Sequence, residues 1–214
     1  MATAGPPEIV GIERARRLLG WALLGELAIL TLTGGYLMFF YRPTPAQAWN
    51  DIYAMQTSVR AGAIARDIHR WTSQLLVLTA VVLFVVLSVE TIMRWRGPWR
   101  RRSGLAIGPV LVVVAAIAAL TGTLLRWDQA ALWAVTVGTN VHGYRQVLDS
   151  DHTRFVIVGG SEIGVDTLRH WFFIHVLVLP VALLGLLVVT VRRRRRAPAP
   201  EPRPAPVLPP DVLV

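Results

Sequence analysis

The 214-residue sequence contains no cysteine, which excludes disulfides, thiolate metal sites and thiol catalysis. It contains no lysine either, so the formal net charge of +9 rests on arginine alone. Charged residues are scarce at 16% of the chain, where an ordinary soluble domain carries about 25%. A pI near 11.4 would point a soluble protein toward nucleic acid. Here the arginines stand beside long apolar runs, so the expected partner is the lipid bilayer and nucleic acid is not expected. What the chain has in abundance is hydrocarbon: 54% of residues are hydrophobic and the mean hydropathy is +0.50. The first 17 residues lack an apolar stretch and no small-residue cleavage site follows the first long run, so a cleavable signal is not expected.

Four apolar runs are long enough to cross a hydrocarbon core of about 30 Å at roughly 1.5 Å per residue. They predict helices over Arg17–Tyr41, Gly62–Met93, Ser103–Trp127 and Asp166–Val191. The fold class is therefore all-α, an integral membrane four-helix bundle. Arginines cluster before the first run (14, 16, 17), between the second and third (94, 96, 100–102) and after the fourth (192–196). The positive-inside rule puts those clusters and both termini in the cytoplasm of a bacterial-type cell membrane, and the two longer loops outside. The second and fourth helices then run in the same direction. Residues 1–16 read as a cytoplasmic segment, 17–191 as the multi-pass transmembrane domain, and 192–214 as a basic, then proline-rich tail that cannot continue a helix. Trp21, Tyr41, Trp71, Trp95, Trp99, Trp127 and Trp171 fall near run ends, where amphipathic rings meet headgroups.

A ring nitrogen deep in lipid is costly without a partner, so intramembrane histidines are candidate functional groups. Of the five histidines, His142 and His152 fall in the outer loop, and His69, His170 and His175 fall in or at the edge of helices. His69 and His175 each sit about 10 to 14 Å from the outer start of their helix, hence at one level. Two imidazoles at one depth on parallel helices can grip a flat ligand from both sides, the geometry of six-coordinate heme iron. Without cysteine, such a heme is b-type and not covalently attached. Gly34 and Gly122 lie near the same level on the other two helices, where the absence of a side chain lets a helix come close. Arg66 precedes His69 by three residues, one turn outward on the same face, in position to meet a heme propionate. His170, five residues before His175, is rotated by about 140 degrees and cannot face the same iron.

Four segments carry a family resemblance: LTGGYLMFFY at 32–41, ARDIHRW at 65–71, LTGTLLRWDQAALWAVTVGTN at 120–140 and DTLRHWFFIHVLVLP at 166–180. In this order they resemble the amino-terminal, four-helix half of cytochrome b from the quinol-oxidising bc complexes and their photosynthetic relatives. The resemblance implies that His69 and His175 ligate the heme nearer the outer, periplasmic face, that Gly34 and Gly122 flank it, and that Arg66, with His170 as a further candidate, contacts a propionate. It also implies a second, inner heme whose ligands would lie 14 residues further on, where this chain has Leu83 and Val189. Val82, Phe84, Thr190 and Val191 do not replace them, so one heme is expected, although Gly20 and Gly108 match the glycines that would flank the second.

The resulting expectation is an electron-transfer subunit with one bis-histidine heme b, working with other redox subunits. A further chain is expected to supply the carboxy-terminal half of the resembled protein. No residue is assigned a catalytic role, and a homodimer is left open. Two alternatives remain: a quinone-binding redox subunit, with Glu26 and Glu90 as intramembrane acids, and a structural or assembly subunit without heme.

Overall fold

The protein is described from a computed structural model that covers residues 7–93, 99–140, 158–160 and 162–195. His142, His152 and the proline-rich tail lie outside the described residues. All the described regular structure is helical: α1 (Pro7–Met38), α2 (Ala48–Thr57), α3 (Gly62–Met93), α4 (Trp99–Leu124), α5 (Gln129–Asn140), α6 (Val165–Phe173), a π-helical turn (Ile174–Val178) and α7 (Leu179–Arg195). Four stretches are long and apolar enough to cross a membrane: Gly11–Met38, Gly62–Ile92, Ile107–Leu124 and Val165–Val189. These are the four expected spans. The first helix starts ten residues earlier than its apolar run, because the polar segment before Arg17 has no proline after Pro7 and continues the helical ladder through Gly11.

The bundle core is a leucine stripe. Leu23 and Leu27 of α1, Leu76, Ala80, Leu83 and Leu87 of α3, Leu111 and Ala115 of α4, and Leu183 and Leu187 of α7 form one buried cluster. Their spacing of three and four residues keeps one face of each helix turned inward. The opposite faces carry exposed Leu32, Leu78, Val113 and Val181, which suit contact with lipid chains. α1 packs along α3, α3 along α4 and α4 along α7, whereas α1 and α7 barely meet and leave an apolar groove of about 570 Å³ between Leu24, Ala28, Thr31, Pro180 and Leu184. At the end of the bundle away from His69 and His175, Arg16 grips both carboxylate oxygens of Glu90, at 2.8 and 2.9 Å, tying α1 to α3. Deeper in the bundle Thr79 donates to Glu26 at 2.8 Å. Both intramembrane acids are thus engaged by a neighbouring helix.

The fourth span contains the one irregularity that matters for the site. Pro180 has no N–H, and its ring crowds the carbonyl four residues earlier. The strain is taken up by the π turn over Ile174–Val178, which inserts one residue into the helical register.

Two short helices lie outside the spans. α2 folds back onto the exit of α1 through Asp51, which is buried and receives the Arg42 backbone N–H at 2.9 Å, Nε at 3.0 Å and a terminal nitrogen at 2.5 Å. α2 reaches α3 through Met55, whose carbonyl would stand 2.3 Å from a β-carbon at residue 62, so only Gly62 fits there. The Arg42 guanidinium holds the Asp51 carboxyl below its ordinary value of 3.8. A depressed carboxyl contributes stability above the unfolded-state value and loses it as pH falls through the lower folded-state value. Acidification through that range is therefore expected to loosen α2, and Asp51→Asn to do so at neutral pH, with a small effect on overall stability since Arg42 is largely solvated. Hydrogen exchange across residues 42–57 measures both effects.

Candidate cofactor site

α3 is an uninterrupted helix, and it presents His69 two turns below its start. The fourth span presents His175 from within the π turn. The two rings face each other across the bundle with centroids 6.2 Å apart and planes at 66°. Two imidazoles on opposite sides of one metal, each bonded at about 2.0 Å, place their centroids roughly 6 Å apart. No group of three His, Cys, Asp or Glu side chains able to hold a metal occurs among the described residues. Two nitrogen donors alone do not complete the shell of a bare ion. They do complete that of a metal that arrives with four equatorial ligands of its own, as in a heme.

Each ring rests in the same local cradle. Thr33 Oγ1 lies 2.9 Å from His69 Nδ1, and Thr121 Oγ1 lies 2.9 Å from His175 Nδ1. The next residue in each case is glycine. A β-carbon on Gly34 would come 3.1 Å from His69 Cε1, and one on Gly122 would come 2.9 Å from His175 Cε1 and 3.5 Å from its Nε2. α1 thus supports the histidine of α3, and α4 supports the histidine of the fourth span. The glycines expected beside the ligand also make the room in which the imidazoles themselves sit. The threonines escaped the sequence reading, although a repeated Leu-Thr-Gly at 32–34 and 120–122 marks both.

The rim of the bundle nearest the two histidines is polar and aromatic. Tyr41 donates to the Leu125 carbonyl at 2.5 Å and stacks on Phe172 with centroids 5.7 Å apart, which joins the outer ends of the first, third and fourth spans. Trp171, one turn outward from His175, has its indole Nε1 buried with no hydrogen-bond partner among the described residues. An acceptor such as a ligand carboxylate would satisfy it. Arg66 stands one turn outward from His69 and donates to the Gln56 side chain of α2. His170 meets Trp171 edge to face and packs on Gly159, whose φ of +75° and the 2.8 Å approach of His170 Cβ both favour glycine.

The inner level is filled differently. Leu83 is 2% exposed within the leucine cluster. The Phe84 ring occupies the face of Gly108, where a β-carbon would stand 2.6 Å from Phe84 Cδ2, and nothing lies within 4 Å of that position at Gly20. Val189 is 40% exposed. The donor set, the cradles and the unpartnered indole at the level of His69 and His175 fit a macrocycle, whereas Leu83 is packed and neither residue 83 nor residue 189 is a metal donor.

Residues 14–193 match the family model described as Cytochrome b/b6/petB. The cytochrome b6 of Acaryochloris marina is 33% identical over 162 residues, which are 76% of this chain and 73% of that protein. That of Heliobacterium modesticaldum is 30% identical over 170 residues, 77% of this chain and 78% of the relative. A chain of a solved hyperthermophilic respiratory complex III aligns with a TM-score of 0.69 and 22% identity over 92% of this chain and 52% of its own length. The present chain therefore spans about half of that one, and the likeness is one of fold.

Proposed function

This chain belongs to the cytochrome b/b6 family, and from that premise we propose that it is a membrane electron-transfer subunit carrying one b-type heme between His69 and His175. The observation that carries the reading is the pair of imidazoles 6.2 Å apart, each in its own Thr-Gly cradle. A heme held there supplies reversible one-electron transfer. His69 and His175 would hold it through the ring nitrogens not engaged by threonine, and two such donors would suit electron transfer rather than oxygen binding. Gly34 and Gly122 let α1 and α4 close on the rings. Trp171, Arg66 and His170 at the outer rim are the candidate partners of the propionates. The leucines beneath exclude water and lower the local dielectric.

One heme at one level does not connect the two faces of the bilayer. Electrons are therefore exchanged on the outer side, with redox subunits that include a chain resembling the other half of cytochrome b. The arginine clusters support a reading with both termini in the cytoplasm and the heme toward the periplasm. Sidedness is testable in sealed, right-side-out vesicles. A membrane-impermeant reductant added outside is expected to reduce the heme before detergent is added. A heme that stays oxidised until the vesicles are opened contradicts the outer placement.

A further inference from the structure

The threonine hydroxyls do more than fill the cradle. Thr33 Oγ1 lies 2.7 Å from the Ile29 carbonyl and 3.3 Å from that of Leu30, and Thr121 Oγ1 lies 3.0 Å from the Ala118 carbonyl. A hydroxyl has one proton. When that proton is given to a helix carbonyl, the oxygen faces the imidazole as an acceptor, and Nδ1 of each histidine is then the nitrogen that carries hydrogen. Nε2 then keeps its lone pair. The same three-part grouping of imidazole Nδ1, hydroxyl and helix carbonyl occurs at both rings and comes from two different helices.

Resting on the heme reading above, we infer that Thr33 and Thr121 are positioning residues that lock His69 and His175 in the Nδ1–H tautomer and set the electron-donating strength of both axial ligands. Metal-bound histidine commonly gives its second N–H to an acceptor, which fixes ring orientation and raises ligand basicity. Threonine acts here where a carboxylate is often found, and it does so without placing a charge in the bilayer. The hydroxyl is a stronger acceptor because it is itself donating. A more basic imidazole stabilises the ferric over the ferrous ion, so the two threonines hold the reduction potential down.

The test uses Thr33→Val and Thr121→Val, which keep the branched shape and remove the hydroxyl, with Thr33→Ser and Thr121→Ser as variants that retain it. In heme-free protein, nitrogen NMR of labelled histidine is expected to show Nδ1–H at both rings in the parent and a mixed tautomer at the affected ring in each valine variant. In heme-loaded protein, each valine variant is expected to raise the ferrous-to-ferric ratio at fixed poise roughly tenfold, equivalent to about 59 mV for one electron. Serine is expected to restore the parent value. Valine variants with the parent tautomer and potential would reduce the threonines to helix packing and overturn the inference. A locked tautomer in a protein that takes up no heme would support the positioning role while contradicting the heme reading, so the two failures are distinguishable.

Discussion

Replacing either His69 or His175 with alanine is expected to abolish the reduced-minus-oxidised heme spectrum, leaving less than about a tenth of the parent absorbance per chain. The rings come from different helices, and among the described residues no third metal-binding side chain stands ready to take the place of either. A single remaining donor would leave iron with an open position and the macrocycle held from one face only. His170 is not a substitute, since it lies against Gly159 and Trp171 rather than opposite His69. His170→Ala should therefore keep the low-spin spectrum. The contrast between His170 and His175, only five residues apart, makes absorption spectroscopy on purified variants a test of geometry and not merely of histidine content.

The glycine series separates steric room from helix stability. Alanine in place of glycine favours a helix by about 1 kcal/mol, so any loss of heme on that change must come from the added β-carbon. At residue 122 that carbon would stand 2.9 Å from the His175 ring, which cannot retreat without breaking its bond to Thr121. Gly122→Ala is expected to lower heme retention by about tenfold or more, by displacing the donor nitrogen. Gly34→Ala, at 3.1 Å from His69, should do the same to a smaller extent. Gly20→Ala meets nothing within 4 Å and should leave the spectrum unchanged. Heme retention through a desalting column, measured for the three variants side by side, checks the order; equal retention in all three would contradict the cradle.

The transmembrane architecture was legible because the bilayer imposes it. Twenty apolar residues in a row admit few conformations other than a spanning helix, and the four runs appear as four spans. The histidine pair was legible through cost, since lipid penalises an unpartnered imidazole, and Gly34 and Gly122 through their common depth with it. The short helices α2 and α5 were not. In α2 the inward positions are Ala48, Asp51 and Met55, while Trp49 and Tyr53 are exposed, so its hydrophobic pattern contradicts the direction in which it folds. What holds it is one ion pair between the buried Asp51 and the exposed Arg42, nine residues apart, and composition does not show that. Arg66 stands one turn from His69 as its spacing predicts, but its contact with Gln56 depends on where α2 lands.

The π turn was hidden for a related reason. Pro180 is visible in the sequence, but a proline can kink, break or bulge a helix, and the choice depends on packing. Counting 14 residues from His175 leads to Val189, which is 40% exposed. The threonines were overlooked because Thr in a membrane helix commonly bonds its own backbone, as Thr33 and Thr121 also do. Only the three-dimensional placement shows that each hydroxyl serves an imidazole as well.

The most direct test is the ratio of heme iron to polypeptide in the purified protein, with heme determined after extraction and protein by quantitative amino-acid analysis. One b-type heme per chain is expected. A ratio of two would mean that the packed inner level around Leu83 and Phe84 opens to a second macrocycle, and a ratio of zero would mean that His69 and His175 face each other for some purpose other than sharing a metal.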